Sequence, residues 1–132
     1  MTLEELINSG STENKTGIYV HKGHKIILLD LKGVQPEGIV SRVEQAKKMI
    51  FESPPVSVLI LTDFRNMRYD KERTEYAKQT SKEIKPFVKK SALLGIEGLK
   101  KIIVQSMMVF SGRTNMKPFS EVKEALEWLI RP

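Results

Sequence analysis

The chain contains no cysteine among its 132 residues, and this absence removes several classes of function. Disulfides, thiolate metal sites and cysteine nucleophiles all require the thiol group. The sequence also lacks a run of about 20 apolar residues, the length that crosses a bilayer. Its first residues are acidic, whereas those of a signal peptide are basic. Together these absences predict a soluble cytoplasmic protein without membrane insertion.

The motifs of catalysis and of phosphate binding are missing as well. None of the patterns G-x-S-x-G, G-x-G-x-x-G and G-x-x-x-x-G-K-[ST] occurs in the sequence. The two histidines, His21 and His24, flank a short turn and have no carboxylate nearby in sequence to complete a metal site. We therefore expect no catalytic residue, no metal, no cofactor and no enzymatic activity.

Hydrophobic residues make up 40% and charged residues 29% of the chain, as in ordinary globular proteins. The formal net charge is +6, and the whole excess lies between Arg65 and Lys101, where eleven basic residues face five acidic ones. Such a segment attracts an acidic protein, nucleic acid or anionic lipid, or it is simply a solvated helix face. Aromatic stacking patterns are missing, so nucleic acid is not favoured.

The run Val56–Asp63 is the most informative stretch. Six of the seven positions before Asp63 are apolar or β-branched, and Pro54 and Pro55 prevent a helix from entering it. This is the pattern of a strand buried on both faces of a parallel or mixed sheet. Function in such sheets tends to lie just past the carboxyl ends of the strands, which directs attention to Asp63 and the loop after it.

Four further strands follow from similar patterns. Thr16–His21 and His24–Leu31 are joined by a two-residue link with glycine, which predicts a β-hairpin. Val88–Gly95 is a further strand, and Asn115–Phe119 is an edge strand because Pro118 cannot donate a ladder hydrogen bond.

Helices are predicted between these strands. The capping box Thr2–Glu5 starts a short helical turn that ends near Asn8. Later helices begin at Pro36, at Leu99, after the cap Asp70 and after the cap Ser120. The residues predicted to face inward are Ile39, Val43, Ala46 and Ile50, then Tyr76, Ala77, Thr80 and Ile84, then Ile96, Leu99, Ile103, Met107 and Phe110, and finally Ala125, Leu126, Trp128 and Leu129.

The alternation of strands and helices predicts one α/β domain over residues 1–132, with residues 1–15 a short N-terminal extension. Its sheet is expected to be mixed, with four or five strands and about four helices.

Two acidic residues, Asp30 and Asp63, both end apolar strands and are expected to lie close together at one edge of the sheet. A pair of carboxylates binds Mg²⁺ or acts as acid and base. Alternatively, each caps a neighbouring loop through backbone N–H groups, which the absence of a phosphate-binding loop favours.

The helix from Leu99 to about Phe110 is apolar on more than one face. Met107, Met108 and Phe110 mark a surface that neighbouring elements shelter, that a second copy of the chain covers in a homodimer, or that an apolar ligand contacts.

Several segments together resemble the SpoIIAA-like group of STAS-type domains, which is related to the CRAL-TRIO domains. The resemblance spans roughly residues 24–130 and is carried by Val58–Asp63, Lys85–Gly95, Gly98–Lys101, Phe110–Arg113, Phe119 and Ala125–Leu129. It implies a sheet of four or five strands flanked by helices, as in bacterial anti-sigma factor antagonists. Those regulators carry a phosphorylatable serine after the central strand, whereas here no Ser or Thr occurs between Thr62 and Thr74.

These observations predict a non-enzymatic STAS-like module that binds a protein partner, without the phosphoacceptor serine. Arg and Tyr are enriched at interface hot spots, so the predicted partner-binding residues are Asp63, Arg65, Arg68 and Tyr69. The alternative function is a carrier of a small apolar or lipid-like ligand, held near Met107, Met108 and Phe110.

Overall fold

The computed structural model describes residues 1–132 and contains five strands and five helices. The strands are β1 (Gly17–His21), β2 (His24–Asp30), β3 (Val58–Asp63), β4 (Val88–Leu94) and β5 (Met116–Phe119). The helices are α1 (Leu3–Asn8), α2 (Pro36–Phe51), α3 (Lys71–Ile84), α4 (Leu99–Ser111) and α5 (Val122–Ile130). None of these helices combines the length and the apolar character that a membrane crossing requires.

The five strands form one mixed sheet in the order β1-β2-β3-β4-β5. β1 and β2 are antiparallel, and every other neighbouring pair is parallel. The predicted α/β class and mixed sheet are thereby confirmed, and β5 lies at the predicted edge. In the hairpin, Lys22 and Gly23 have φ values of 49° and 81°, as the two central residues of a type I′ turn require.

The three parallel crossovers place their helices on the same side of the sheet. A strand–helix–strand crossover between parallel strands is nearly always right-handed, and each crossover here advances by one strand in the same direction. α2, α3 and α4 therefore cover one side, which we call the three-helix face. α1 and α5 cover the other side, the two-helix face.

Side chains of β3 alternate between the two faces, and all six residues of the strand are buried. Val58 and Ile60 belong to the core of the three-helix face, and Leu59 and Leu61 to that of the two-helix face. By this alternation Thr62 points to the three-helix face and Asp63 to the two-helix face.

The two-helix face also includes the N-terminal helix. Both hydrogen bonds of the predicted capping box, between Thr2 and Glu5, are present, and Leu3 and Ile7 join the core beneath α5. On the other side, α2 buries all four of the residues predicted to face inward, which are Ile39, Val43, Ala46 and Ile50. Asp70 caps α3 as predicted, because its carboxylate accepts the N–H of Arg73 at 2.8 Å.

Three local predictions are wrong. β3 begins at Val58 rather than Val56, because Val56 has a φ of 51° and is 63% exposed. Ser120 does not cap α5, since the helix begins at Val122 and Glu121 is its N-cap residue. The inward face of α4 is also rotated from the predicted one.

The predicted inward face of α4 included Leu99 and Phe110, which are 70% and 50% exposed. The residues that α4 buries are Val104, Met107 and Ser111. The helix is apolar on most of its circumference, so its sequence does not specify which side turns inward. The contacts with α3, and those of Val104 with Leu93 and Met116 of the sheet, decide the rotation instead.

Candidate functional site

Asp63 and Arg65, two of the predicted partner-binding residues, bind each other. The exposed fraction of Asp63 is only 2%. Its two carboxylate oxygens accept hydrogen bonds from Nε and Nη2 of Arg65 at 2.9 and 2.8 Å. These bonds raise the pKa of the Arg65 guanidinium above its ordinary value, against the opposing effect of burial. A bidentate pair of this kind fixes both side chains.

The same guanidinium ties the loop after β3 to α1. Nη2 of Arg65 donates to the carbonyl oxygen of Ile7 at 3.1 Å, and Nη1 donates to Oδ1 of Asn8 at 3.0 Å. Arg65 thus caps the carboxyl end of α1 and neutralises Asp63 at once. Both side chains are used within the chain, on the two-helix face.

Arg68 and Tyr69, the other two predicted partner-binding residues, lie differently. Arg68 is exposed, and only its backbone N–H is engaged, donating to the carbonyl oxygen of Val34 at 2.9 Å. Tyr69 is half-buried against the core of the three-helix face. The four residues therefore do not form one surface, because the sheet separates the Asp63–Arg65 pair from Tyr69.

Asp30 and Asp63 are directly paired across β2 and β3, as the sequence predicted. Each carboxylate nevertheless accepts hydrogen bonds from backbone N–H groups of neighbouring loops. The carboxylate of Asp30 accepts the backbone N–H groups of Lys15 and Lys32 at 3.0 and 3.2 Å, and Nη1 of Arg42 lies 3.6 Å from its Oδ2. No group of three or more His, Asp and Glu side chains is arranged to hold a metal ion. The capping interpretation describes this pair.

A mainly apolar cavity of about 110 Å³ lies on the three-helix face, between the sheet and helices α2, α3 and α4. Of its 27 lining residues, 18 are hydrophobic. They come from every element on that face and are Leu29, Leu31, Ile39, Val43, Ala46, Ile50, Ile60, Phe64, Met67, Tyr69, Ala77, Ile84, Leu93, Ile96, Ile103, Val104, Met107 and Met116.

The cavity reaches the surface near the carboxyl ends of the parallel strands. Most of its partly exposed lining residues lie there, namely Phe64, Met67 and Tyr69 in the β3–α3 loop, Arg73 and Thr74 in the first turn of α3, Ile96 in the β4–α4 loop and Lys100 at the start of α4. The others are Lys47, Ala77 and Ile103, farther along α2, α3 and α4. Crevices at this edge are where open α/β sheets usually bind their ligands. The loop after Asp63 therefore forms part of the cavity wall.

The polar part of the cavity lining includes Arg113, which is only 4% exposed. Its Nη2 donates to Oγ of Ser91 at 2.5 Å, its Nη1 to Oγ of Ser81 at 3.4 Å, and its Nε to Oδ1 of Asn115 at 3.2 Å. Burial lowers the pKa of Arg113 to about 10. A fourth buried polar group, the hydroxyl of Thr80, also lines the cavity and has no hydrogen-bond partner.

The side-chain amide of Asn115 is oriented by strand β4. Its Nδ2 donates to the carbonyl oxygens of Val88 and Lys89 at 3.0 and 3.2 Å. The amide oxygen is therefore turned toward Arg113. Strand β4 thus fixes the acceptor that positions the guanidinium.

The three residues predicted as an apolar ligand or dimer surface divide among different environments. Met107 is buried and lines the cavity. Met108 is partly buried against a small cluster around Leu93. Phe110 is half-exposed outside the cavity, with Nζ of Lys82 5.6 Å from its ring centre.

Sequence reasoning missed Arg113, Ser81 and Ser91, and it identified Thr80 only as an inward-facing residue of α3. These residues lie on α3, on β4 and in the loop before β5, far apart in the chain. Ser-Gly-Arg-Thr-Asn at 111–115 is the composition of an ordinary loop, so no local pattern distinguishes Arg113. Only the sheet topology brings the four residues together.

No protein family model, no curated protein and no solved structure matches the chain. The resemblance to SpoIIAA-like STAS-type domains remains a prediction from the residues that carry it.

Proposed function

We propose that the protein is a non-enzymatic, STAS-like carrier that binds a small apolar ligand between α3, α4 and the sheet. The observation that supports this function is the cavity of about 110 Å³ with its predominantly hydrophobic lining. Well-packed interiors contain few voids larger than a water molecule, and each such void costs stability. An apolar void at the ligand-binding edge of the sheet is explained by a ligand that fills it.

The size of the cavity limits the ligand. An engineered cavity of about 150 Å³ in another protein binds benzene. The cavity here is somewhat smaller, but some of its lining residues, such as Tyr69 and Ile96, are partly exposed. A ligand of about four to six non-hydrogen atoms fits this space.

The methionines provide a direct test. The chain has six. Met67, Met107 and Met116 line the cavity, whereas Met1, Met49 and Met108 do not. We expect titration of ¹³C-methyl-methionine-labelled protein with butan-1-ol to shift the NMR signals of the three cavity methyls and to leave those of Met1 and Met49 in place. Met108 is not used as a reference, because it packs against the cluster that contains the cavity residues Leu93 and Met116. If neither butan-1-ol nor the butanoate, butanamide and butylamine used below shifts the signals of the cavity methyls, the proposed function is contradicted.

A matched pair of variants on α3 separates cavity binding from unspecific contact. Ala77→Leu adds three carbon atoms to the cavity wall, so we expect it to weaken butanol binding by about tenfold or more and to leave stability equal or higher. Gln79→Leu adds the same side chain at an exposed position outside the cavity, and we expect unchanged binding. Equal binding by both variants would place the ligand elsewhere.

Protein binding is the second candidate function, and the outer side of α4 favours it. Leu99, Ile102 and Val109 are 70%, 63% and 86% exposed, and their spacing places them on one side of the helix. Exposed Lys82, Lys101 and Arg68 lie in the adjoining segments. An apolar stripe with basic neighbours fits a protein partner whose contact surface is apolar with acidic edges.

Variants of exposed residues test this second function. Ile102→Glu and Arg68→Glu oppose an acidic partner at the stripe and at the loop, whereas Val20→Glu changes an exposed apolar residue on β1. We expect a partner that wild-type protein captures from lysate to be retained by Val20→Glu and lost from the other two. A partner that all three variants retain equally would contradict the assignment of this surface.

A further inference from the structure

The guanidinium of Arg113 carries a charge that no acidic side chain balances. Its three hydrogen-bond partners, Ser81, Ser91 and Asn115, are all neutral. An isolated charge at 4% exposure is strongly destabilising unless a counter-charge approaches it. From this observation, and resting on the carrier function proposed above, we propose that the ligand is a short-chain monocarboxylate whose carboxylate binds Arg113.

The donors of Arg113 suit a carboxylate. A guanidinium has five N–H groups, and the three hydrogen bonds use one on Nε and one on each terminal nitrogen. One N–H on Nη1 and one on Nη2 are left, which is the number that a bidentate carboxylate accepts. The bond from Nη1 to Ser81 is also long, at 3.4 Å. The unpartnered hydroxyl of Thr80 supplies a further donor on the cavity wall.

The charges around the cavity favour an anion. No Asp or Glu is among the lining residues, which include the cations Lys47, Arg73, Lys100 and Arg113. Lys47 forms ion pairs with Glu44 and Glu83, and Arg73 with Asp70 and Glu72.

The remaining cation, Lys100, lies at the cavity mouth. It donates to the carbonyl oxygen of Phe64 at 2.8 Å and is half-buried there. Arg113 is thus the most buried of the four cations, and Lys100 adds positive potential to the same cavity. Both features attract a negatively charged ligand.

The single unbalanced charge of Arg113 and the volume of the cavity decide which anion fits. One buried guanidinium neutralises one negative charge, so a monoanion is favoured over a doubly charged phosphate ester. The hydrophobic lining beyond Arg113 requires an apolar tail, and the cavity volume limits that tail to about three or four carbon atoms. Butanoate meets these conditions.

The test compares butanoate with butanamide, which has the same number of non-hydrogen atoms and no charge. Binding is followed at pH 7 and constant ionic strength by the methyl signals of Met67, Met107 and Met116. We expect butanoate to bind wild-type protein about tenfold or more tightly than butanamide, because hydrogen bonds to charged groups are the stronger ones. We expect butylamine, which carries the opposite charge, to bind more weakly than either.

Variants assign the preference to one residue. Arg113→Met removes the charge and keeps an unbranched side chain, so we expect butanoate and butanamide to bind it equally. Arg113→Lys keeps the charge without the planar fork, so we expect an intermediate preference. Arg131→Met removes an exposed arginine outside the cavity and should leave the full preference. The comparison in wild-type protein needs no variant, so a folding defect of Arg113→Met does not prevent a decision.

The outcomes separate this inference from the carrier function. Equal binding of butanoate and butanamide to wild-type protein overturns the carboxylate assignment and leaves an apolar-ligand carrier. A preference for butanoate that persists in Arg113→Met overturns the role of Arg113. If no butyl compound shifts the cavity methyls, the carrier function itself is wrong.

Discussion

Gly95, the residue after β4, lets the β4–α4 loop pack closely against the loop that follows β3. It has a φ of 79°, in the left-handed region, and a Cβ atom placed on it would lie 2.7 Å from the backbone nitrogen of Arg65. The turn into α4 therefore lies directly against the loop that follows β3. These two loops carry Phe64 and Ile96, which line the cavity near its opening.

We expect Gly95→Ala to destabilise the protein through both strain and steric overlap. The clash is with backbone atoms, which cannot rotate away, and the positive φ adds about 1–3 kcal/mol. Gly23 is the matched control, because its φ of 81° is nearly the same but nothing lies within 4 Å of its Cβ position. In urea unfolding, Gly95→Ala should cost about 2 kcal/mol more than Gly23→Ala. Equal losses would show that the loops separate without cost.

At the scale of single residues, the sequence predicts what depends on near neighbours. The capping box of Thr2 and Glu5 and the cap at Asp70 were predicted correctly because donor and acceptor lie three residues apart. Arg113 is the opposite case. Its partners Ser81 and Ser91 are more distant in sequence, and an arginine in a loop is normally exposed, so nothing local indicated a buried one.

At the scale of elements, α2 and α4 show when hydrophobic periodicity is sufficient. α2 has one apolar side, and the predicted inward residues are the buried ones. α4 has apolar residues on most sides, and its inward face was assigned incorrectly at Leu99 and Phe110. A helix that lines an apolar cavity with one side and presents apolar residues to solvent with another has no single period to detect.

The short helix α1 is an integral part of the core, although its sequence suggested an extension. Ile7 is 2% exposed within the core of the two-helix face, and the carbonyl oxygen of Ile7 accepts a hydrogen bond from Arg65. A helix of six residues is not stable alone in water. Its stability comes from these contacts with the rest of the chain.

We therefore expect Ile7→Ala to destabilise the whole protein by about 2–4 kcal/mol, as removal of a buried isoleucine side chain does. Glu4→Ala, a change at a partly exposed position of the same helix, should cost far less. Urea unfolding followed through Trp128, which adjoins the same core, measures both. A loss below about 0.5 kcal/mol for Ile7→Ala would mean that α1 detaches without affecting the fold.

At the scale of the whole molecule, the class and the mixed sheet were predictable because strands and helices alternate along the chain. The sequence also directed attention to the carboxyl end of β3. It did not show that the sheet divides the residues of that region, with Asp63 on the two-helix face and the cavity on the other. All six residues of β3 are buried, so the sequence of the strand has no alternation of polar and apolar residues that would assign each side chain to one helix layer or the other.

The contact between α1 and α5 has a consequence for the order in which the fold forms. Leu3 and Ile7 share a core with Val122 and Leu126, which are separated from them by nearly the whole sequence. During synthesis the N-terminal helix must wait for the last helix before its face is covered. The walls of the cavity need no residue beyond Met116. The three-helix face is therefore built from segments that follow one another in sequence, whereas closing the two-helix face brings Leu3 and Leu126 together and costs more loop-closure entropy.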